Sequence, residues 1–116
     1  MIVDDEEPIL FSMSDYFTEH GWQVDCARTI DEARALASGR DYDVIITDLH
    51  LTGLQSAEGL ELVSFLQTTG KARAVVLTAY GTAELERVAI ELGADAFLQK
   101  TMPISEIAQL VERLTG

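Results

Sequence analysis

The run Val44-Ile45-Ile46, set between Tyr42-Asp43 and Thr47-Asp48, constrains this chain more than any other feature. Consecutive β-branched residues are stiff at χ1 and favour an extended backbone. Side chains of a strand alternate between its two faces, so an unbroken apolar run is hydrophobic on both. Such a strand has to be covered on both sides, as in a parallel sheet flanked by helices. Ile2-Val3 and Ala74–Leu77 are short apolar runs of the same kind, and Ala96–Leu98 reads as a further strand. Trp22–Cys26 alternates large apolar with polar residues and also reads as a strand.

Helical periodicity fills the intervals. Pro8 suits a first helical turn, and Ile9, Leu10, Met13 and Phe17 follow on one face until Gly21 stops the helix. Thr29 is a good N-cap for a helix with Ile30, Ala33, Leu36 and Ala37 on one side, ending at Gly39. After the polar stretch Thr52–Gly59, residues Leu60, Leu62, Val63 and Leu66 form a helical face closed by Gly70. Thr82 caps Ala83–Leu92, which Gly93 ends, and the last helix runs from Ile104 to Leu114. The order is β-α five times, which predicts a five-stranded parallel sheet covered on both faces. Right-handed crossovers make it a doubly wound α/β sandwich.

Length and charge narrow the function classes. The 116 residues are expected to form a single domain, 1–116, with one core. The first strand is short, as in a chain trimmed at its start. A net charge of −12 with eight basic residues argues against nucleic-acid binding by this domain, because phosphate contacts need a basic surface. The lone Cys26 excludes an internal disulfide and a multi-cysteine zinc site. The sequence contains neither a membrane-spanning apolar run nor a signal-peptide pattern at Met1–Glu7. The expected setting is soluble and cytoplasmic.

In an open α/β sheet, ligands bind beyond the carboxyl ends of the strands. Those ends carry Asp4 and Asp5, then Asp48, Thr78 and Lys100. One such residue would mean little, since strand ends face water; the combination is informative. Carboxylates brought together repel, by about 4 kcal/mol per pair at 4 Å and an effective dielectric near 20. Without a cation one of them should titrate high. Mg²⁺ relieves the conflict and prefers one or two carboxylates plus phosphate oxygens. Lys100 adds a point charge and Thr78 a hydroxyl. This is equipment for phosphoryl transfer, with a carboxylate as nucleophile.

The segments Val3-Asp4-Asp5-Glu6, Val44-Ile45-Ile46-Thr47-Asp48, Leu77-Thr78-Ala79 and Phe97-Leu98-Gln99-Lys100 resemble, in order and along the whole chain, the receiver domain of two-component response regulators. The resemblance implies a flavodoxin-like (βα)5 fold with Asp48 as phospho-acceptor. It implies Mg²⁺ bound by Asp5, by Asp4 mainly through water, by Asp48 and by the backbone carbonyl of His50. Thr78 and Lys100 would contact the phosphoryl oxygens, and Phe97 would be the switch aromatic. The implied donor is a histidine kinase or a phosphotransfer protein. An output domain or partner would meet the segment Thr82–Leu114, and catalysis would be limited to self-phosphorylation and self-dephosphorylation.

The chain departs from the family pattern in three places. Thr101 follows Lys100 where proline with a cis bond is usual, and a cis bond before a non-proline residue costs about 2.5–4 kcal/mol. The Asp48–Gly59 loop is about three residues longer than the common pattern, and Thr52 replaces proline. His50 and Tyr80 are bulky residues two positions past Asp48 and Thr78, where the family tunes acyl-phosphate hydrolysis; they are expected to hinder water and prolong the phosphorylated state.

Plainer readings stand beside these. Phe97 also suits a static core position, His50 a loop, and Cys26 a space-filling strand end. Trp22 reads as partly buried beside the first helix. Glu6 and Glu7 suit a charged first turn, and Glu84, Glu86, Glu91, Glu106 and Glu112 solvated faces. Two other functions remain open. Asp48-Leu49-His50-Leu51-Thr52 approaches the D-x-D-x-T motif of haloacid-dehalogenase-type phosphatases, although His50 replaces the second acid. A receiver-fold binding module that is never phosphorylated is the other.

Overall fold

The computed structural model describes residues 1–51 and 57–116. The first half holds β1 (Ile2–Val3), α1 (Glu7–Glu19), β2 (Cys26–Ala27), α2 (Ile30–Gly39) and β3 (Val44–Asp48). The second half holds α3 (Glu58–Thr69), β4 (Arg73–Thr78), α4 (Ala83–Glu91), β5 (Ala96–Gln99) and α5 (Ile104–Thr115). The sheet is parallel throughout, in the order β2-β1-β3-β4-β5. This is the flavodoxin-like order, whose direction of winding reverses between β1 and β3. Ile2 pairs with Ile46, Asp48 with Leu77, and Thr78 with Gln99, which aligns the polar strand ends along one edge.

The run Val44-Ile45-Ile46 is buried on both faces. Ile45 packs in a core shared with Ile30 and Ala33 of α2, Leu62, Val63 and Leu66 of α3, and Ala89 of α4. Val44 and Ile46 face the other way, into a core with Leu10, Met13 and Phe17 of α1 and Ile107, Ala108 and Val111 of α5. The two cores are the two helical layers that a strand without a polar face demands. Both threonine caps form: Thr29 Oγ1 accepts from Glu32 N at 3.1 Å, and Thr82 Oγ1 from Leu85 N at 3.1 Å. Gly70 ends α3 with φ of 83°, a conformation that costs glycine little.

The second strand differs from expectation. Only Cys26 and Ala27 form the strand, with the Asp25 carbonyl accepting from the Ile2 N–H at 2.9 Å, and Trp22–Val24 lie outside it. The alternation there has another cause: Trp22 and Val24 pack against the α1–α5 core, with the indole edge-on to Phe17 at 6.0 Å between centroids. Cys26 is exposed, so it does not fill space at a strand end. The fifth strand lies at the sheet edge, and Ala96, Phe97 and Leu98 are only partly buried. The five glutamates of α4 and α5 are exposed as expected. Thr52 and most of the lengthened loop lie outside the described residues.

At the opposite end of the sheet from the polar strand ends, the Tyr42 hydroxyl donates to Asp25 Oδ2 at 2.6 Å, and Arg40 Nη1 donates to the same oxygen at 3.0 Å. The Tyr42 hydrogen bond is the main cause holding the Asp25 carboxyl below its ordinary value. Burial, then the Asp25 bond, pushes the Tyr42 hydroxyl up to about 12. Tyr42→Phe should therefore lose about 1–2 kcal/mol at neutral pH, seen as a lower urea midpoint. The protonated phenol is the form the fold favours. Its contribution is complete below pH 10 and disappears as pH rises through about 12. The stability gap between the two chains should narrow across that interval; a constant gap would mean that the bond contributes nothing.

Candidate functional site

Each polar strand end is fixed by backbone pairing before its side chain does anything. Asp4 follows β1, and its N–H donates to Ala27 O at 3.0 Å. Its carboxylate is buried, and Oδ1 accepts from the Glu6 N–H at 2.9 Å, which turns the chain into α1. Asp48 is the last residue of β3. The next N–H, of Leu49, donates to Leu77 O at 2.9 Å, so the strand end is pinned to β4. Asp48 Oδ1 accepts from the His50 N–H at 3.2 Å, an Asx turn, while Leu49 and Leu51 anchor the segment in the core. Lys100 lies one residue past β5, with its N–H donating to Thr78 O at 2.8 Å.

Here the expected residues meet. Asp4, Asp5 and Asp48 each offer a carboxylate oxygen, and the three oxygens lie within 4.8 Å of one another. Lys100 Nζ stands 2.9 Å from Asp4 Oδ2 and 3.1 Å from Asp48 Oδ2, and 3.7 Å from Glu6 Oε2. It does so without the proline turn of the family pattern; no peptide bond among the described residues is cis. A cleft of about 200 Å³ opens onto Asp5, Asp48, His50, Ala79, Tyr80 and Lys100. Tyr80 is 65 % exposed at its rim.

Burial pushes the Asp48 carboxyl above its ordinary value; Lys100 opposes this, and Asp4 reinforces it. Burial pulls the Lys100 ammonium down, but its contacts with Asp4 and Asp48 outweigh that and hold it up. The pocket thus contains a carboxylate whose charge stays disfavoured even with the Lys100 ammonium 3.1 Å away. The donor set fits a hard divalent cation of the Mg²⁺ or Ca²⁺ kind: all oxygens, two of the carboxylates buried and one open to water.

Thr78 is fully buried at the end of β4, and its hydroxyl oxygen accepts from the Tyr80 N–H at 3.1 Å. The cleft wall on that side consists of Ala79 and Tyr80. Phe97 packs against the core beneath α2, α3 and α4. The loop after β4 rides directly on both residues: a Cβ placed on Gly81 would stand 2.8 Å from Phe97 Cε1 and 2.8 Å from Thr78 Cγ2.

Two contributors were not among the predicted site residues. A Cβ on Gly59 would lie 2.4 Å from the Asp48 carbonyl oxygen, so only glycine lets α3 start against the acceptor strand. In the sequence it closes the polar stretch Thr52–Gly59, where a glycine carries no sign of close backbone packing. Glu6, read as first-turn charge, also reaches Lys100.

A doubly wound α/β sheet with carboxylates and a lysine converging at its switch point defines the class, one built to hold a cation and an anionic group together. The chain belongs to the response regulator receiver domain family, whose model matches residues 1–112. It is 32% identical over 108 residues to the photosynthetic apparatus regulatory protein RegA of Rhodovulum sulfidophilum, covering 92% of this chain and 57% of that one. It is 34% identical over 115 residues to the transcriptional regulatory protein CusR of Escherichia coli, covering 98% and 49%. The chain thus spans about half the length of these relatives. A response regulator from Burkholderia pseudomallei, crystallised with a phosphorylated aspartic acid, a calcium ion and citrate, superposes with a TM-score of 0.86. That protein is 31% identical, with 95% of this chain and 64% of the other covered.

Proposed function

We propose that the chain is a phosphorylation-dependent switch of a two-component system, with Asp48 as phospho-acceptor. One observation carries this reading: a buried, charge-reluctant carboxylate at the end of β3 shares its pocket with Asp4, Asp5 and Lys100. The donor is a histidine kinase or phosphotransfer protein, the cofactor is Mg²⁺, and the setting is cytoplasmic. An Asp48 oxygen forms a bond to phosphorus as the P–N bond of the donor phosphohistidine breaks. The leaving imidazole keeps the P–N electron pair and departs neutral, its other ring nitrogen holding the proton it carried in the phosphohistidine. Bound Mg²⁺ supplies neutralising charge to the transferring group. Lys100 keeps an ammonium beside the acceptor, and Thr78 turns its hydroxyl to the attached phosphoryl oxygens while Phe97 follows. The phosphoryl group biases a two-state equilibrium by about 1–3 kcal/mol. The output partner meets the Thr82–Leu114 segment, where Ile90 is 48 % exposed on α4. Chemistry stops at self-phosphorylation and self-dephosphorylation.

Acetyl phosphate or beryllofluoride with Mg²⁺ should add mass to the intact chain, and Asp48→Asn should abolish the adduct. An unmodified native chain would favour the binding-module reading, and turnover of p-nitrophenyl phosphate would favour a phosphatase. His50 and Tyr80 both line the cleft mouth. His50→Ala and Tyr80→Ala should each speed phosphate release roughly threefold, a barrier change of about 0.7 kcal/mol. Unchanged release rates would remove these side chains from control of the attacking water.

A further inference from the structure

Lys100 is held by three acids, and the third differs from the other two. The Asp4 and Asp48 side chains are 3 % and 7 % exposed, whereas Glu6, at 3.7 Å from Nζ, is 59 % exposed. Asp4 and Asp48 also belong to the converging trio of carboxylates, and Glu6 does not. The oxygens that grip the ammonium in this structure are thus on the groups best placed to grip a divalent cation. Both positive charges drawn to the same two carboxylates repel each other. Glu6 is positioned to resolve that competition. Its N–H is tied to Asp4 Oδ1 at 2.9 Å, which fixes its backbone to the same carboxylate. It occupies the N-cap of α1, yet its side chain makes no capping hydrogen bond, so its carboxylate remains available to Lys100.

We propose that Glu6 is a positioning residue that takes over the Lys100 ammonium when a divalent cation occupies Asp4, Asp5 and Asp48. Lys100 then stays charged and beside the cleft instead of being driven from it. The inference rests on the cation site of the proposed function. In the cation-free state the Glu6 contact is half-solvated and contributes little. Its value lies in the difference between the two states.

The test is a double-mutant cycle read by Mn²⁺ binding, with electron paramagnetic resonance on the full chain and Mg²⁺ as competitor. Glu6→Gln should weaken Mn²⁺ binding about fivefold when Lys100 is present. In a Lys100→Met background the same change should weaken it less than about twofold, because there is no ammonium left to place. Lys100→Gln serves as a second background should the methionine variant fail to fold. Equal losses in the native and lysine-free backgrounds would make Glu6 merely a nearby negative charge and overturn the proposal. So would unchanged binding in Glu6→Gln alone. Failure of beryllofluoride to load Asp48 while the cycle holds would instead sink the phospho-acceptor reading by itself.

Discussion

Lys100→Met is expected to destabilise the chain by about 3 kcal/mol near neutral pH with divalent cations chelated. The Lys100 side chain is 13 % exposed, and its ammonium lies within 4 Å of both Asp4 and Asp48. Removing one partner of a buried ion pair leaves uncompensated charge in the interior, which typically costs 3–5 kcal/mol. The loss should return in two ways. Excess MgCl₂ should restore much of it, because a cation bound only by the folded state stabilises by mass action. Adding Asp48→Asn should restore much of it too, by deleting a carboxylate whose charge burial already disfavours. The gap should also narrow at acid pH. Asp48 has a folded-state pKa above its unfolded value, so its neutral form is the stable one and its ionisation costs stability as pH rises through that value. Without Lys100 that cost is larger, and lowering the pH removes it. Urea unfolding with chelator and with MgCl₂, at neutral and acid pH, checks each part. A small, cation-independent loss would mean that the ammonium does not hold these acids together.

Gly59→Ala is expected to cost about 2–3 kcal/mol, although it is the conservative choice inside a helix. The added methyl group would meet the Asp48 carbonyl oxygen at 2.4 Å and Leu49 Cα at 2.8 Å. Both are backbone atoms of a strand end held to β4, so no side-chain rotation relieves the clash. α3 must move away from β3, and the acceptor carboxylate shifts with it. The urea midpoint should fall with an unchanged slope, and small-donor phosphorylation should slow. Gly39→Ala is the control: nothing lies within 4 Å of its added Cβ, and its stability should be equal or higher. Equal midpoints for the two variants would show that the α3 approach is looser than the geometry requires.

The strand ends were legible because each follows an apolar run too short to be anything else and ends in a chemically distinct residue. Asp4, Asp5, Asp48 and Lys100 could be placed at one edge of the sheet from the β-α alternation alone. The convergence of their side chains within hydrogen-bonding distance could not, since it depends on parallel register between residues far apart in sequence. Trp22–Cys26 misled because aromatic packing on a neighbouring helix imitates the alternation of a strand. The close backbone approach at Gly59 leaves no periodic trace in the sequence. Glu6 fits a charged first helical turn on local grounds alone, because the lysine it reaches lies at the far end of the chain.

The arrangement of the sheet also sets a timetable. Asp48 and Lys100 are 52 residues apart, and Lys100 arrives only with the last strand, an edge. A nascent chain leaving the ribosome therefore carries its acids long before it carries their counter-ion. The charge balance of the site is thus completed by the strand that is made last of the five, across the longest reach in sequence of the contacts to Asp48.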